Sequence, residues 1–112
     1  MNARLLLPIA LGLLASGPSL AGEINIISAG AVEPGVTAAA EAFQKQTGTP
    51  VQITFATAPA IRERVGRGEA ADVVIAPPTL IDELAKAGRL DGARRAAVGR
   101  VGVGVVVREG AA

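Results

Sequence analysis

The chain has 112 residues, half of them apolar, and its eleven basic and ten acidic side chains leave a net charge of +1. That length allows one small domain, and the charge balance lacks the excess that nucleic acid or an anionic membrane surface selects. With no Cys and no His, disulfides, thiolate and imidazole metal ligands, and Ser-His or Cys-His nucleophile pairs are excluded.

Residues 1–21 read as a secretory signal. Arg4 supplies a positive start, Leu5 to Leu14 an apolar run interrupted by Pro8 and Gly12, and Ser19-Leu20-Ala21 the small residues that a signal peptidase inspects. The run is about half the length of ~20 residues that a membrane-spanning helix needs. Cleavage after Ala21 removes one base, Arg4, and leaves ten basic and ten acidic residues in 22–112. The expectation is an exported, periplasmic protein with no membrane insertion once the signal is gone.

The rest of the chain alternates strand and helix patterns. Residues 24–28 (INIIS) form a short Ile-rich run, as in a strand buried on both faces. After the small-residue loop Ala29 to Gly35, apolar residues at Val36, Ala39, Ala40 and Phe43 give the stripe of an amphipathic helix, with Glu41 and Lys45 spaced as an outer pair. Thr47-Gly48 ends it. A second strand, 51–55 (VQITF), leads through Ala56-Thr57-Ala58-Pro59 into a short helix over 60–67, with Ile61 and Val65 inward. A third strand, 72–76 (DVVIA), and Pro77-Pro78 precede a helix capped by Thr79, with Asp82 in a capping-box role and Leu80, Ile81, Leu84 and Ala85 inward. Residues 100–107 (RVGVGVVV) read as a long fourth strand. With only two aromatic residues, Phe43 and Phe55, the core must be aliphatic.

Three strand–loop–helix units in series predict an α/β fold: a parallel sheet between two helix layers, joined by right-handed crossovers. In such folds ligands sit beyond the carboxyl ends of the strands. The loops there, 28–35, 56–60 and 76–79, each run into a helix N-terminus, whose free N–H groups favour anionic or polar ligands. The candidate ligand residues are Ser28, Ala29, Gly30 and Ala31 in the first loop, Ala56, Thr57 and Ala58 in the second, and Pro77 in the third. No cofactor or metal is implied, and no residue is assigned to catalysis.

The ordered set INIISAGA (24–31), FATAPAI (55–61), GRGE (66–69) and ADVVIAP (71–77), behind an export signal, resembles the periplasmic molybdate-binding-like branch of the type II extracellular solute-binding proteins. The resemblance covers residues 23 to 108. It implies a two-lobed clamp that closes on a small polar solute or oxyanion and delivers it to the permease of an ABC transporter. Two loop hydroxyls of that family fall, by register, at Ala31 and Ala58, neither of which has a hydroxyl; Ser28 and Thr57 lie nearby but out of register. The resemblance also implies a second lobe that residues 22–112 do not contain. They then correspond to the N-terminal part of lobe 1, ending near the hinge strand, in a partial record of the gene.

Other signals have plainer readings. Arg62, Arg64 and Arg67 fit a solvated helix face with Glu63. Gly66-x-Gly68-x-x-Ala71 lies before a strand rather than between strand and helix, so it fails as a dinucleotide fingerprint. Asp72 is placed to bond the preceding turn, and Glu33 is the carboxylate nearest the first loop. The rival functions are the effector-binding domain of a regulator, which would carry a DNA-binding helix pair and no export signal, and a secreted carboxylate-based hydrolase, which no paired acidic motif supports. A stand-alone interaction domain would need residues 22–112 to fold unaided.

Overall fold

A computed structural model of the protein describes residues 22–111; the leader expected over 1–21 lies outside them. Three parallel strands, β1 (Ile24–Ala29), β2 (Val51–Ala56) and β3 (Val73–Ile75), form one sheet in the order β2-β1-β3. Three helices connect and follow them: α1 (Glu33–Thr47), α2 (Ala58–Gly66) and α3 (Pro78–Lys86). The α/β architecture expected from the repeating units is therefore present.

The register sorts every strand residue onto one of two faces. Ile27 stands beside Thr54 and Val74, and Ala29 beside Ala56, so these share one face; Ile24, Ile26, Val51, Ile53, Val73 and Ile75 share the other. Ile61 and Val65 of α2 and Leu80 and Leu84 of α3 close over Ile27, with Val74, Ala29, Ala56, Ala58, Ala71, Ala76 and Leu90 packed around them. Val36, Ala39, Ala40 and Phe43 of α1 lie on the second face, beside Ile24, Ile26 and Val51. One helix on one face and two on the other is what right-handed crossovers give when β1 to β2 steps one way and β2 to β3 steps back.

The core is aliphatic, as the composition requires. Ile61 is 0% exposed and Ile27, Val65, Leu80 and Leu84 are nearly so; each such side chain contributes roughly 1.5–3 kcal/mol relative to leaving it in water. Gly48 closes α1 in the left-handed region (φ 71°), and its N–H reaches the Gln44 carbonyl at 2.8 Å, a conformation that costs a side chain–bearing residue more than Gly.

Several local expectations are corrected. Helix α1 begins at Glu33, three residues before the apolar stripe, because Pro34 suits the first turn of a helix and Glu33 complements its positive end. Glu41 and Lys45 make no ion pair within 4 Å, whereas Glu63 and Arg67 do, at 3.3 Å. Helix α3 begins at Pro78 with no side-chain cap, so Thr79 is inside the helix, and Asp82 bonds Arg95 at 2.6 Å rather than closing a capping box. Asp72 accepts from the N–H of Asn25 at 2.8 Å, and its own N–H returns a 2.8 Å bond to the Asn25 carbonyl. It thus pins β3 to β1 rather than its own turn. The largest correction concerns residues 100–107, which form no strand; Val103 is 97% exposed. A β-strand is stable only through cross-strand partners, and this run has none among the described residues.

Candidate functional site

The three strands end together. Ala29 is level with Ala56, and Ser28 with both Phe55 and Ile75, so the loops that follow leave adjacent strands, ~4.8 Å apart, at one edge of the sheet. After β1 a single 3-10 turn, Gly30–Val32, runs directly into α1. After β2 only Thr57 separates strand from α2, and after β3 only Ala76 and Pro77 precede α3. Three helix entrances thus line one rim. Gly30 and Ala31 are exposed there, and the space that a side chain on Gly30 would fill is empty.

Bonds already made limit what this rim can offer a ligand. In α2 the N–H of Ala60 goes to Thr57 Oγ1 at 3.4 Å and that of Ile61 to the Thr57 carbonyl at 2.9 Å, while Pro59 has no N–H. In α3 both Leu80 and Ile81 donate to the Pro77 carbonyl, at 3.0 and 3.1 Å, and Pro77 and Pro78 have no N–H. The N–H groups of Ala58 and Thr79 therefore remain as donors at the two entrances, among the described residues. Thr57 still has its hydroxyl proton, because its oxygen acts only as acceptor in the cap.

The expected ligand residues separate into two groups. Gly30, Ala31, Thr57 and Pro77 are exposed on the rim, with Ala58 half-buried beside them. Ser28 is 0% exposed and its Oγ donates to the Ala29 carbonyl at 3.1 Å, so it lies beneath the rim with its proton engaged. Ala29 and Ala56, half-buried, pack against the α2–α3 core and set the height of the strand ends. Pro77 brings no donor of its own; the free amide next to it belongs to Thr79, which the sequence reading assigned only to capping. The Pro77-Pro78 pair was the available signal, since two prolines silence the first turn and leave the third residue as its first N–H.

Beside the rim, Glu33 and Glu41 flank Thr37 along one side of α1, bordering an open groove that begins at Gly30. Among the described residues no group of three acidic side chains stands close enough to hold a metal ion, and no helix is long and apolar enough to cross a membrane.

A family model for bacterial extracellular solute-binding proteins matches residues 24–112, which includes every strand, helix and rim loop just described. The chain belongs to that family. The chain is also similar to an aconitate isomerase from a Pseudomonas species, 33% identical across 92% of this chain. It spans 44% of that relative's length.

Proposed function

We propose that this chain forms part of one lobe of a periplasmic solute-binding protein, the binding component of an ABC-type uptake system, and that its rim holds a small anion. The observation carrying the reading is the alignment of three helix entrances at the level ends of three parallel strands, the exposed Gly30-Ala31 turn after the central β1 lying between the Thr57 hydroxyl and Ala58 amide after β2 and the Thr79 amide after β3. Residues 1–21 act as the export signal and are cleaved after Ala21. Residues 22–112 make the N-terminal part of the lobe. Ligand bridging this lobe and a second one stabilises a closed form, which the permease recognises. The protein uses no cofactor and performs no chemistry.

Carboxylate is the better match than a molybdate-like oxyanion. A tetrahedral dianion presents four oxygens to be satisfied, and Ala31 and Ala58 supply no hydroxyls; each acceptor left unpaired in a closed cleft costs about 1–3 kcal/mol. A carboxylate presents two oxygens to each helix entrance, and a polycarboxylate spreads its charge along the rim. The name of the aconitate isomerase favours the same ligand class, aconitate being a tricarboxylate. That name also supports a second reading, in which the site isomerises such an acid.

Thermal unfolding of the protein carrying this sequence, as its host produces it, tests the proposal with citrate, trans-aconitate, molybdate and glucose as probes. A bound carboxylate at a hundred times its Kd stabilises by about 2.7 kcal/mol, visible as a raised midpoint absent with glucose. Equal indifference to all four probes removes the anion site. Conversion of aconitate by the protein alone would replace the transport reading with the isomerase.

A further inference from the structure

Ser28 is the one buried polar side chain among the described residues, and nothing in the packing calls for its hydroxyl. It stands in the central strand between Phe55 of β2 and Ile75 of β3. There alanine would fill nearly the same space without the cost of taking a hydroxyl out of water. One bond offsets that cost, from Ser28 Oγ to the carbonyl of Ala29 at 3.1 Å. Ala29 is the last residue of β1, and the 3-10 turn of the first rim loop starts from it. The buried hydroxyl therefore ends on the carbonyl at the foot of the Gly30-Ala31 turn.

Three other carbonyls of the rim loops are engaged as well, in each case by backbone donors. The Gly30 carbonyl accepts from the Glu33 N–H, and the Thr57 carbonyl from the Ile61 N–H at 2.9 Å. The Pro77 carbonyl accepts from Leu80 and Ile81, at 3.0 and 3.1 Å. Each of these bonds comes with the turn or helix that it closes. At Ala29 a side chain takes that part instead. A carbonyl oxygen has two lone pairs. A lone pair left open at Ala29 would set a partial negative charge beneath an anion, and would offer an acceptor to any ligand carrying a hydroxyl. With Ser28 in place, the backbone of the rim meets a ligand through donors, the Ala58 and Thr79 amides, beside the Thr57 hydroxyl.

We propose that Ser28 is a positioning residue that sets the ligand class. By engaging the Ala29 carbonyl it makes the rim backbone a donor surface, which selects solutes that only accept hydrogen bonds, carboxylates above all, over those that must also donate. The inference rests on the anion-binding reading of the rim. Ser28 makes no contact with the ligand and acts through the Ala29 carbonyl alone.

Citrate and tricarballylate, which differ by a single hydroxyl, are the probes. They are titrated by calorimetry, at a pH where every carboxyl is ionised, into the protein as its host produces it and into its Ser28 variants. The parent is expected to bind both. Ser28→Ala should weaken tricarballylate about tenfold and citrate less, because the citrate hydroxyl can donate to the freed carbonyl. The ratio of the two dissociation constants therefore moves in favour of citrate, whereas a purely structural loss would weaken both alike. Ser28→Thr keeps the hydroxyl and should restore the parent ratio; Ser28→Cys, close in size with a weaker donor, should fall between. The carbonyl carbon resonance of Ala29 reports the bond without any ligand, moving upfield in Ser28→Ala. An unchanged ratio or an unmoved Ala29 resonance in Ser28→Ala would overturn the inference and leave the anion site standing. A parent that binds neither solute removes the anion site and this inference with it.

Discussion

The two faces of the sheet are built from similar residues and end in different states. On one, Ile61 and Val65 of α2 and Leu80 and Leu84 of α3 shut over Ile27 until none is more than 5% exposed. On the other, α1 is the longest of the three described helices, yet of its inward stripe only Ala40 is buried, and Phe43 remains 41% exposed. Helix length therefore does not decide closure. What decides it is coverage: two helices laid side by side seal the strands beneath them, and one helix of ~10 Å diameter cannot span three strands ~4.8 Å apart and also close its own flank. The sealed face fixes the height of the rim, through Ala29, Ala56, Ala58 and Ala76. The open face leaves the apolar edge at β3.

Matched truncations on the two faces test the contrast most strongly. Ile61→Ala empties a fully enclosed position and is expected to destabilise by about 2–5 kcal/mol, the usual cost of a large-to-small change with its residual cavity. Phe43→Ala removes more atoms from a site already open to water, and its expected cost is about 1 kcal/mol, far below the ~3–5 kcal/mol of a buried Phe. Urea unfolding of the two variants gives both numbers. Equal losses would mean that the α1 face is closed in solution and that the contrast fails. An effect of about 0.5–1.5 kcal/mol is expected for Asp72→Ala, which removes the acceptor of a solvent-exposed bond from the Asn25 N–H. Asp72→Asn keeps an acceptor oxygen and should recover part of the loss. Because Asp72 ties β3 to β1 at the end opposite the rim, amide exchange should rise at Val73 to Ile75 and leave β2 unaffected.

The sealed face was largely legible in the sequence and the open face was not. Ile61, Val65, Leu80 and Leu84 fall at helical spacing within short segments bounded by Gly and Pro, and each segment had one consistent apolar side. The same rule placed Val36, Ala39, Ala40 and Phe43 inward, but periodicity reports which side of a helix seeks cover and not whether anything provides it. Residues 100–107 show the same limit for strands. Their valines state a preference, and pairing needs a neighbouring edge, which is a property of the assembled sheet. The rim was legible as three strand–helix loops, since each loop is small and follows an apolar run. Which atoms remain free there was not, because it depends on bonds such as those from Leu80 and Ile81 to the Pro77 carbonyl. Buried Ser28 and exposed Thr57 look alike as polar ends of strands; only the register, with Ser28 inside β1 and Thr57 one residue beyond β2, separates them.

Thr57 joins the sealed face to the rim, and the smallest expected effect is the most informative about function. Its Oγ1 caps α2 through a 3.4 Å bond from Ala60 N–H, a long contact, so Thr57→Ala should cost toward the low end of the ~0.5–2 kcal/mol measured for lost caps. Thr57→Asp keeps the cap and adds a negative charge that suits the positive end of the helix, so it should match or exceed the parent stability. On the rim the two variants reverse. Alanine takes away one hydroxyl donor and leaves the helix entrance positive, whereas aspartate opposes any anion approaching the Ala58 and Thr79 amides. Denaturation and citrate titration of both variants therefore give crossed orders if the rim holds an anion: stability falls from Asp to Ala, and affinity falls from Ala to Asp. Parallel orders would make Thr57 a helix cap alone and move the ligand elsewhere on the lobe.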